Sequence, residues 1–277
     1  MVSSFCGNPK CEATDLMTIF VGIDDTDSLD SRGTNQLARA IAEQLAPRYE
    51  CRMIVRHQLL FDERIPFTSH NGSAGLWLVP RAAELTPGNL DSLFEELRAA
   101  MLGDFIPGSD PGLCLATQVS DELLAWGRRC QSEIVTQADA RAIAERAGVR
   151  LVGLGGTNGG IIGALAAVGL THSGNDGRLV RWQSWPDDLT GPTPISVLNG
   201  RDIEVRSLDG LSPDRMPDDG RTPSRIERSA GEELFDGVVD VGKHCRPNLR
   251  DHRAVLFVTR NLNPECLDAE WTALKLK

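Results

Sequence analysis

The stretch VGIDDTDS, residues 21–28, decides how the chain is interpreted, because an apolar run ends there in three carboxylates. Residues 18–23 read TIFVGI, which is typical of a buried strand. Neighbouring acids repel one another, so a fold keeps them at a strand end when a cation or a set of donors compensates. Carboxylate oxygens are preferred ligands of Mg²⁺. We therefore interpret Asp24, Asp25 and Asp27 as candidate metal ligands, with a solvated turn as the alternative.

The segment after the acidic run predicts an amphipathic helix. Leu37, Ile41 and Leu45 recur every four residues, which favours a helix over residues 34–46. Thr34 at its start has two interpretations. It is an N-cap whose hydroxyl accepts a backbone amide hydrogen, or it lies beside a metal-bound polyphosphate at the positive end of the helix.

The first half of the chain has the element order of a split βαβ unit. Further amphipathic and apolar patterns complete it, with strands over residues 51–61, 74–79 and 112–119 and a second helix over 89–102. In this arrangement four strands form an antiparallel sheet with both helices on one face. We predict an α+β fold with a ferredoxin-like half over 17–119 and a second α/β half, with a kinase-like nucleotide site, over 120–277.

Two loops carry further candidate ligands. Asn71-Gly72 marks a donor-rich turn, which is either a binding loop or a polar hairpin end. A glycine-rich turn that contains Gly159 and Gly160 joins a predicted strand over 149–154 to the small-residue run IIGALAAVG. Such a turn brings backbone amides close to an anion or lets a helix pack tightly in a core. It matches neither a P-loop nor a dinucleotide-binding fingerprint.

The second half has weaker patterns. Residues 208–232 are rich in polar residues, proline and glycine and predict a mobile loop. The basic stretch 243–253 is interpreted as a solvated face or as a phosphate-binding segment. The remaining elements are helices over 120–131 and 136–147 and strands over 178–183, 194–198, 202–207 and 254–258.

The composition is that of an ordinary globular protein. The formal charge of −10 supplies no general attraction to nucleic acid or anionic lipid. No stretch approaches the roughly 20 apolar residues of a membrane span, and residues 1–17 lack the pattern of a signal peptide. Seven scattered cysteines favour a reduced compartment, so we expect a cytoplasmic protein. Cys6 and Cys11 are half of a zinc pattern, and no second pair follows.

Four stretches, taken in order, resemble the core of the archaeal tRNA-isoleucine agmatidine synthetase family over about residues 18–262. They are residues 22–28 with Gly33 and Thr34, residues 65–67 with Asn71 and Gly72, residues 160–169, and residues 256–261. In that family a kinase-like domain uses ATP and magnesium to activate carbon 2 of a wobble cytosine by phosphorylation, and agmatine then displaces the phosphate.

The resemblance implies roles for particular residues. Asp24, Asp25 and Asp27 would hold Mg²⁺ and polyphosphate, and Thr34 would lie at the transferred group. The residues implied to line the cofactor are Ser28, Gly33, Asn71, Gly72, Gly159 and Gly160. This agrees with the chemistry of the residues, since a metal-neutralised phosphate in line with its acceptor supplies most of the rate of phosphoryl transfer.

Two departures from the family affect the substrate. Ser69 and His70 stand where the family has Arg and Gly, which removes a cation from the loop. We expect no counterpart of the family's C-terminal oligonucleotide-binding fold and zinc ribbon after residue 262. We therefore expect an ATP- and Mg²⁺-dependent ligase that acts on a small-molecule amine or a nucleotide. The alternatives are tRNA modification with an RNA-binding partner subunit, and a non-catalytic nucleotide or amine sensor.

Overall fold

The computed structural model describes residues 18–24, 33–65, 71–82, 86–182, 188–209, 231–262 and 268–275. The helices in these ranges are α1 (Thr34–Leu45), α2 (Pro87–Gly103), α3 (Asp121–Ser132), α4 (Gln137–Ala147), α5 (Ile161–His172) and α6 (Ile195–Asn199). The strands are β1 (Ile19–Asp24), β2 (Tyr49–Gln58), β3 (Gly72–Pro80), β4 (Gly112–Ala116), β5 (Arg150–Gly153), β6 (Arg178–Trp182), β7 (Pro192–Pro194), β8 (Ile203–Ser207), β9 (Glu232–Leu234), β10 (Val238–Asp240), β11 (Asn248–Arg250), β12 (Arg253–Arg260) and β13 (Trp271–Ala273).

The predicted split βαβ unit is confirmed. The first four strands lie in the order β4-β1-β3-β2, and each neighbouring pair is antiparallel. Ile19, Val21 and Ile23 of β1 face a core formed with α1 and α2, to which α1 contributes Leu37 and Ile41. Both helices therefore cover one face of this sheet, as the element order predicts.

The other face of the sheet is covered by α5. The intervening β1 residue Phe20 points to this side, where it joins a second core with α3, α4 and α5. Gly22 of β1 and Gly75 of β3 are register partners directly beneath α5. A Cβ at Gly22 would overlap the Ala164 carbonyl, and one at Gly75 would overlap the Thr171 hydroxyl. The small residues of α5 and these glycines together allow helix and sheet backbones to approach closely.

The sheet continues beyond the ferredoxin-like strands on both sides. β5 pairs with β4, and β6 pairs with β2 and leads to β11 and β12. A third core joins Met53 and Val55 of β2 to Leu179, Leu249 and Leu256. Strands from both sides of residue 119 thus share one sheet, and the division into 17–119 and 120–277 remains a prediction.

The sequence-based elements of the last third need one correction. The predicted strand over 194–198 is largely the short helix α6, and the strand before it, β7, has three residues. Its apolar residues Ile195 and Leu198 are three apart and both buried, which is a helical spacing that five residues cannot separate from a strand pattern. Among the described residues, no helix is long and apolar enough to cross a membrane. Cys6, Cys11 and residues 210–230 of the predicted loop lie outside the described ranges.

Candidate functional site

Several strand ends meet at one edge of the sheet. Asp24 at the end of β1 is the register partner of Gly112, which begins β4 and pairs in turn with Gly153 at the end of β5. On the other side of β1, the start of β3 at Gly72 pairs with Gln58 at the end of β2. Loops that follow or precede these residues therefore share this edge. We call it the Asp24 edge.

Both helices implicated by the sequence start at the Asp24 edge. A short turn joins the end of α1 to Tyr49, which begins β2 at the opposite edge, so the first residue of α1, Thr34, lies at the Asp24 end. A Cβ on Gly160, the residue before α5, would lie 3.1 Å from the Asp24 carbonyl oxygen. The structure thus brings the described candidates Asp24, Thr34, Gly72 and Gly160 to one edge.

Asp24 is held between the sheet and α5. Asp24 is only 8% exposed. Its carboxylate lies so close to Gly163 that a Cβ at residue 163 would overlap it. Burial raises the pKa of the Cys130 thiol, and the nearby negative charge of Asp24 raises it further. Cys130 is therefore a neutral neighbour rather than a thiolate ligand.

The rest of the acidic motif lies outside the described residues. This applies to Asp25, Asp27 and Ser28. Within the described residues, no group of three or more His, Cys, Asp or Glu side chains is placed to hold a metal ion. The assignment of the three aspartates as metal ligands therefore remains a prediction.

The N-cap interpretation of Thr34 is wrong. The N-cap of α1 is Gly33, with φ −66° and ψ 155°, and Thr34 is the first helical residue. The Gly33 carbonyl accepts hydrogen bonds from the amides of Gln36 at 2.8 Å and Leu37 at 3.4 Å. Thr34 is 8% exposed. The sequence suggests a cap at Thr34 because threonine is a common N-cap residue, whereas glycine also adopts the extended conformation that the position needs.

The glycine-rich turn is organised by Asp110, a residue that the sequence did not single out. The backbone amide and the hydroxyl of Thr157 both donate to the Asp110 carboxylate. The Asp110 carbonyl accepts from the Gly160 amide at 3.0 Å, and the Gly159 carbonyl accepts from Ile162 at 3.1 Å. The amides of Gly160 and Ile162 are thus bonded within the protein, so a phosphate here would need other donors. These contacts match the tight-packing interpretation of the turn.

The Asn71-Gly72 loop closes on itself and meets a cation. The Asn71 side chain donates to the Leu60 carbonyl at 2.7 Å, and the Asn71 carbonyl accepts from the Gln58 side chain at 2.6 Å. Gly72 lies under Arg56, since a Cβ there would come within 3.1 Å of a guanidinium nitrogen. Arg56 therefore places a positive charge beside the loop, whereas Ser69 and His70 lie outside the described residues.

A buried polar network lies immediately behind this loop. His57 is fully buried, and its Nδ1 and Nε2 lie 2.8 Å from Asp176 and from the Thr171 hydroxyl. Asp176 also accepts from Gln131 at 2.9 Å and from Arg128 at 3.3 Å. Burial opposes ionisation of Asp176, but His57, Gln131 and Arg128 outweigh it and lower the pKa. Sequence spacing gives no sign of this network, because its partners are far apart in the chain.

Comparisons with known proteins found similarity only among solved structures. No family model and no curated protein matches the chain. The chain is similar over 55% of its length to a tRNA fluorescent labelling enzyme, at 20% identity and a TM-score of 0.47. Over the same share it is similar to the apo form of a tRNA agmatidine synthetase specific for an isoleucine tRNA, at 22% identity and a TM-score of 0.44. It is also similar to the complex of that synthetase with its tRNA and ATP, at 21% and 0.46. The chain spans 35–36% of the length of these structures.

Proposed function

We propose that the protein is an ATP- and Mg²⁺-dependent phosphotransferase or amine ligase of the agmatidine synthetase type. Its reaction would transfer a phosphoryl group from ATP to a carbonyl oxygen. An amine would then attack the activated carbon, and the carbon–oxygen bond would break to release phosphate. One observation carries the proposal. Asp24 and Thr34, Gly72, and Gly160 come from three separate stretches of the sequence resemblance and lie at one edge of the sheet.

The residues present suit a hard cation. The Asp24 carboxylate is fixed at a strand end, with Gly163 leaving room for it beside α5. We propose that Asp24, together with Asp25 and Asp27, holds Mg²⁺ through oxygen ligands. Bound there, the ion would neutralise charge on the polyphosphate. Thr34, at the first turn of α1, would lie at the transferred phosphate, where the positive end of the helix favours negative charge.

The acceptor in this proposal carries a phosphate, as a nucleotide does. The Arg56 guanidinium beside Gly72 supports this choice, since it brings a fixed cation to the edge where the reaction would occur. The same observation favours a second candidate, modification of a tRNA wobble cytidine together with an RNA-binding partner subunit. Tight, salt-sensitive retention of total tRNA by the isolated chain in a gel shift would replace the nucleotide with tRNA.

ATP turnover by aspartate variants tests the proposal. Asp24→Asn keeps the size of the side chain and removes its charge, so we expect ATP turnover to fall by about 100-fold or more. Asp91→Asn is the matched control, because Asp91 is an exposed residue of α2. We expect this variant to keep the wild-type rate.

The outcomes separate the candidate functions. Wild-type protein that binds neither ATP nor Mg²⁺ in calorimetry would remove the enzyme proposal. Binding without turnover across a panel of amines and nucleotides would identify a sensor instead.

A further inference from the structure

Two arginines face each other across neighbouring strands near the Asp24 edge. Arg56 of β2 and Arg178 of β6 are register partners in an antiparallel pair, so their side chains leave the same face of the sheet. Arg246 precedes β11, in which Asn248 is the register partner of Arg178. Like charges directly opposite each other destabilise a sheet unless something compensates them.

Arg178 has no compensating acid within the described residues. Its Nε atom is buried and has no hydrogen-bond partner among the residues that the structure describes. Burial lowers the pKa of Arg178, and the charges of Arg56 and Arg246 lower it further. All three effects oppose the charge that arginine keeps at any physiological pH. A buried donor without a partner costs stability, so this arrangement needs an explanation.

Two other part-buried arginines, Arg206 and Arg128, have acidic partners. Arg206 on β8 is paired with Glu204 at 2.5 Å and with Glu233 at 3.2 Å. Arg128 on α3 is paired with Asp176 at 3.3 Å. Arg178 differs because the charges that shift its pKa, those of Arg56 and Arg246, are both positive. Such a concentration of guanidinium groups suits an anion that enters from outside the chain.

The cluster adjoins the proposed reaction edge. The Arg56 guanidinium lies over Gly72, the first residue of β3. Along β2, Ile54 faces the core that contains α1, whereas Val55 and the buried His57 face the other way. Because successive side chains of a strand point to opposite faces, Arg56 lies on the face that carries α1, whose first residue is Thr34. An anion held here would lie between the Asn71-Gly72 loop and that side of the sheet.

We propose that Arg56, Arg178 and Arg246 form a phosphate-binding site. Guanidinium forks match phosphate oxygens in bidentate geometry, and a phosphate would supply the acceptor that the buried Arg178 Nε lacks. More than one cation suits a doubly charged phosphate better than a singly charged carboxylate. Assignment of this phosphate to the acceptor substrate rests on the proposed function, whereas the site itself does not.

Thermal unfolding with added anions tests the site. The unfolding temperature of wild-type protein is measured in buffer that contains EDTA and either inorganic phosphate, ADP or sodium chloride, all at equal ionic strength. We expect phosphate and ADP to raise the unfolding temperature more than chloride does. Arg178→Met removes the charge and keeps the apolar stem. We expect it to weaken phosphate binding about tenfold or more, and to raise the unfolding temperature in anion-free buffer because a like charge is removed.

Two variants keep the test decisive. Arg206→Met is the matched control, since Arg206 is also a strand arginine but is neutralised by glutamates; it should keep the full phosphate effect. Arg178→Lys keeps the charge and loses the fork, so an intermediate affinity is expected. The proposal is overturned if phosphate and ADP stabilise Arg178→Met as much as wild type, or stabilise wild type no more than chloride.

A tRNA-binding measurement on the same variants identifies the source of the phosphate. Loss of tRNA retention in Arg178→Met would assign the site to a backbone phosphodiester, and loss of the ADP effect without tRNA retention by wild type would assign it to a small molecule. The experiment also stands apart from the proposed function, because EDTA removes the metal. If the protein does not turn over ATP but phosphate still raises its unfolding temperature in an Arg178-dependent way, the proposed function is wrong and the phosphate site stands.

Discussion

At the scale of single residues, Gly163 determines whether Asp24 can occupy its position. A Cβ at residue 163 would overlap the Asp24 carboxylate. Alanine normally stabilises a helix interior by about 1 kcal/mol relative to glycine, so a loss of stability on Gly163→Ala would report this contact directly. We expect the free energy of unfolding to fall by about 2 kcal/mol, as in an overpacked core. Urea unfolding measures it.

A double-mutant cycle isolates the contact. In an Asp24→Ala background the carboxylate is gone, so we expect Gly163→Ala to become neutral or stabilising. Gly103→Ala is the matched control, because nothing lies within 4 Å of a Cβ there and the position is also helical. Equal destabilisation by Gly163→Ala in both backgrounds would assign the cost to Leu59, whose Cδ1 would lie 3.0 Å from the new Cβ, and not to Asp24.

Single residues also show how far the sequence predicts the site. The strand-to-acid transition at Asp24 and the small residues of α5 are local patterns, and both are visible without a structure. The pairing of Arg56 with Arg178 depends on β2 meeting β6, and the contact of Asp110 with Thr157 joins two distant loops. Local periodicity carries no information on such pairings, so these residues escaped prediction.

At the scale of elements, the His57 network fixes β2 to α5. His57 belongs to β2, Thr171 to α5, and Asp176 to the turn after α5, with Arg128 and Gln131 reaching Asp176 from α3. His57, Thr171 and Asp176 are each at most 2% exposed. Full burial favours a structural role, because a polar group in a core must be satisfied within it.

The network predicts a pH-dependent contribution to stability. The pKa of Asp176 is lowered in the folded protein, so its contribution is present above the ordinary value of 3.8 and is lost as the pH falls through the lowered pKa. At pH 7 we expect Asp176→Asn to reduce the free energy of unfolding by about 3 kcal/mol, since it leaves His57 and Arg128 without their charged partner. Denaturant unfolding at pH 7 and near pH 3 measures both values.

The control for this prediction is Asp91→Asn on the surface of α2. We expect it to change the free energy of unfolding by less than about 0.5 kcal/mol at either pH. A penalty for Asp176→Asn that stays constant down to pH 2 would contradict the ionised pairing of Asp176.

Element prediction succeeds where capping and periodicity agree. Helix α4 is flanked by the Thr136–Asp139 capping box and by Gly148 at φ +64°, both visible in the sequence. The three-residue strands β9, β10, β11 and β13 were not predicted. Strands so short take their conformation from pairing with distant segments, and three residues give no periodicity to read.

At the scale of the whole molecule, the three larger hydrophobic cores among the described residues indicate how the chain divides. The two cores on either face of the ferredoxin-like sheet share β1 and β4, because successive residues of a strand point to opposite faces. The third core is built mainly from residues beyond 178 and receives Met53 and Val55 from β2. α5 therefore belongs by packing with the first four strands, although the sequence-based division at 119 and 120 separates them.

Native-state hydrogen exchange tests where the chain divides. We expect the amides of β1 and α5 to open with free energies within about 1 kcal/mol of each other, because α5 covers the sheet at Gly22 and Gly75 and its removal would expose Phe20. We expect β8 and β12, which pair with each other in the third core, to open as a separate unit. Peptide-resolved exchange over a urea series measures these free energies.

A contrary result would place the boundary at 119 and 120. In that case residues 120–172 would open together with β8 and β12 while β1–β4 stay protected. The first result would make α5 part of the unit that carries Asp24, so the small-residue run and the acidic motif would be parts of one cooperative structure.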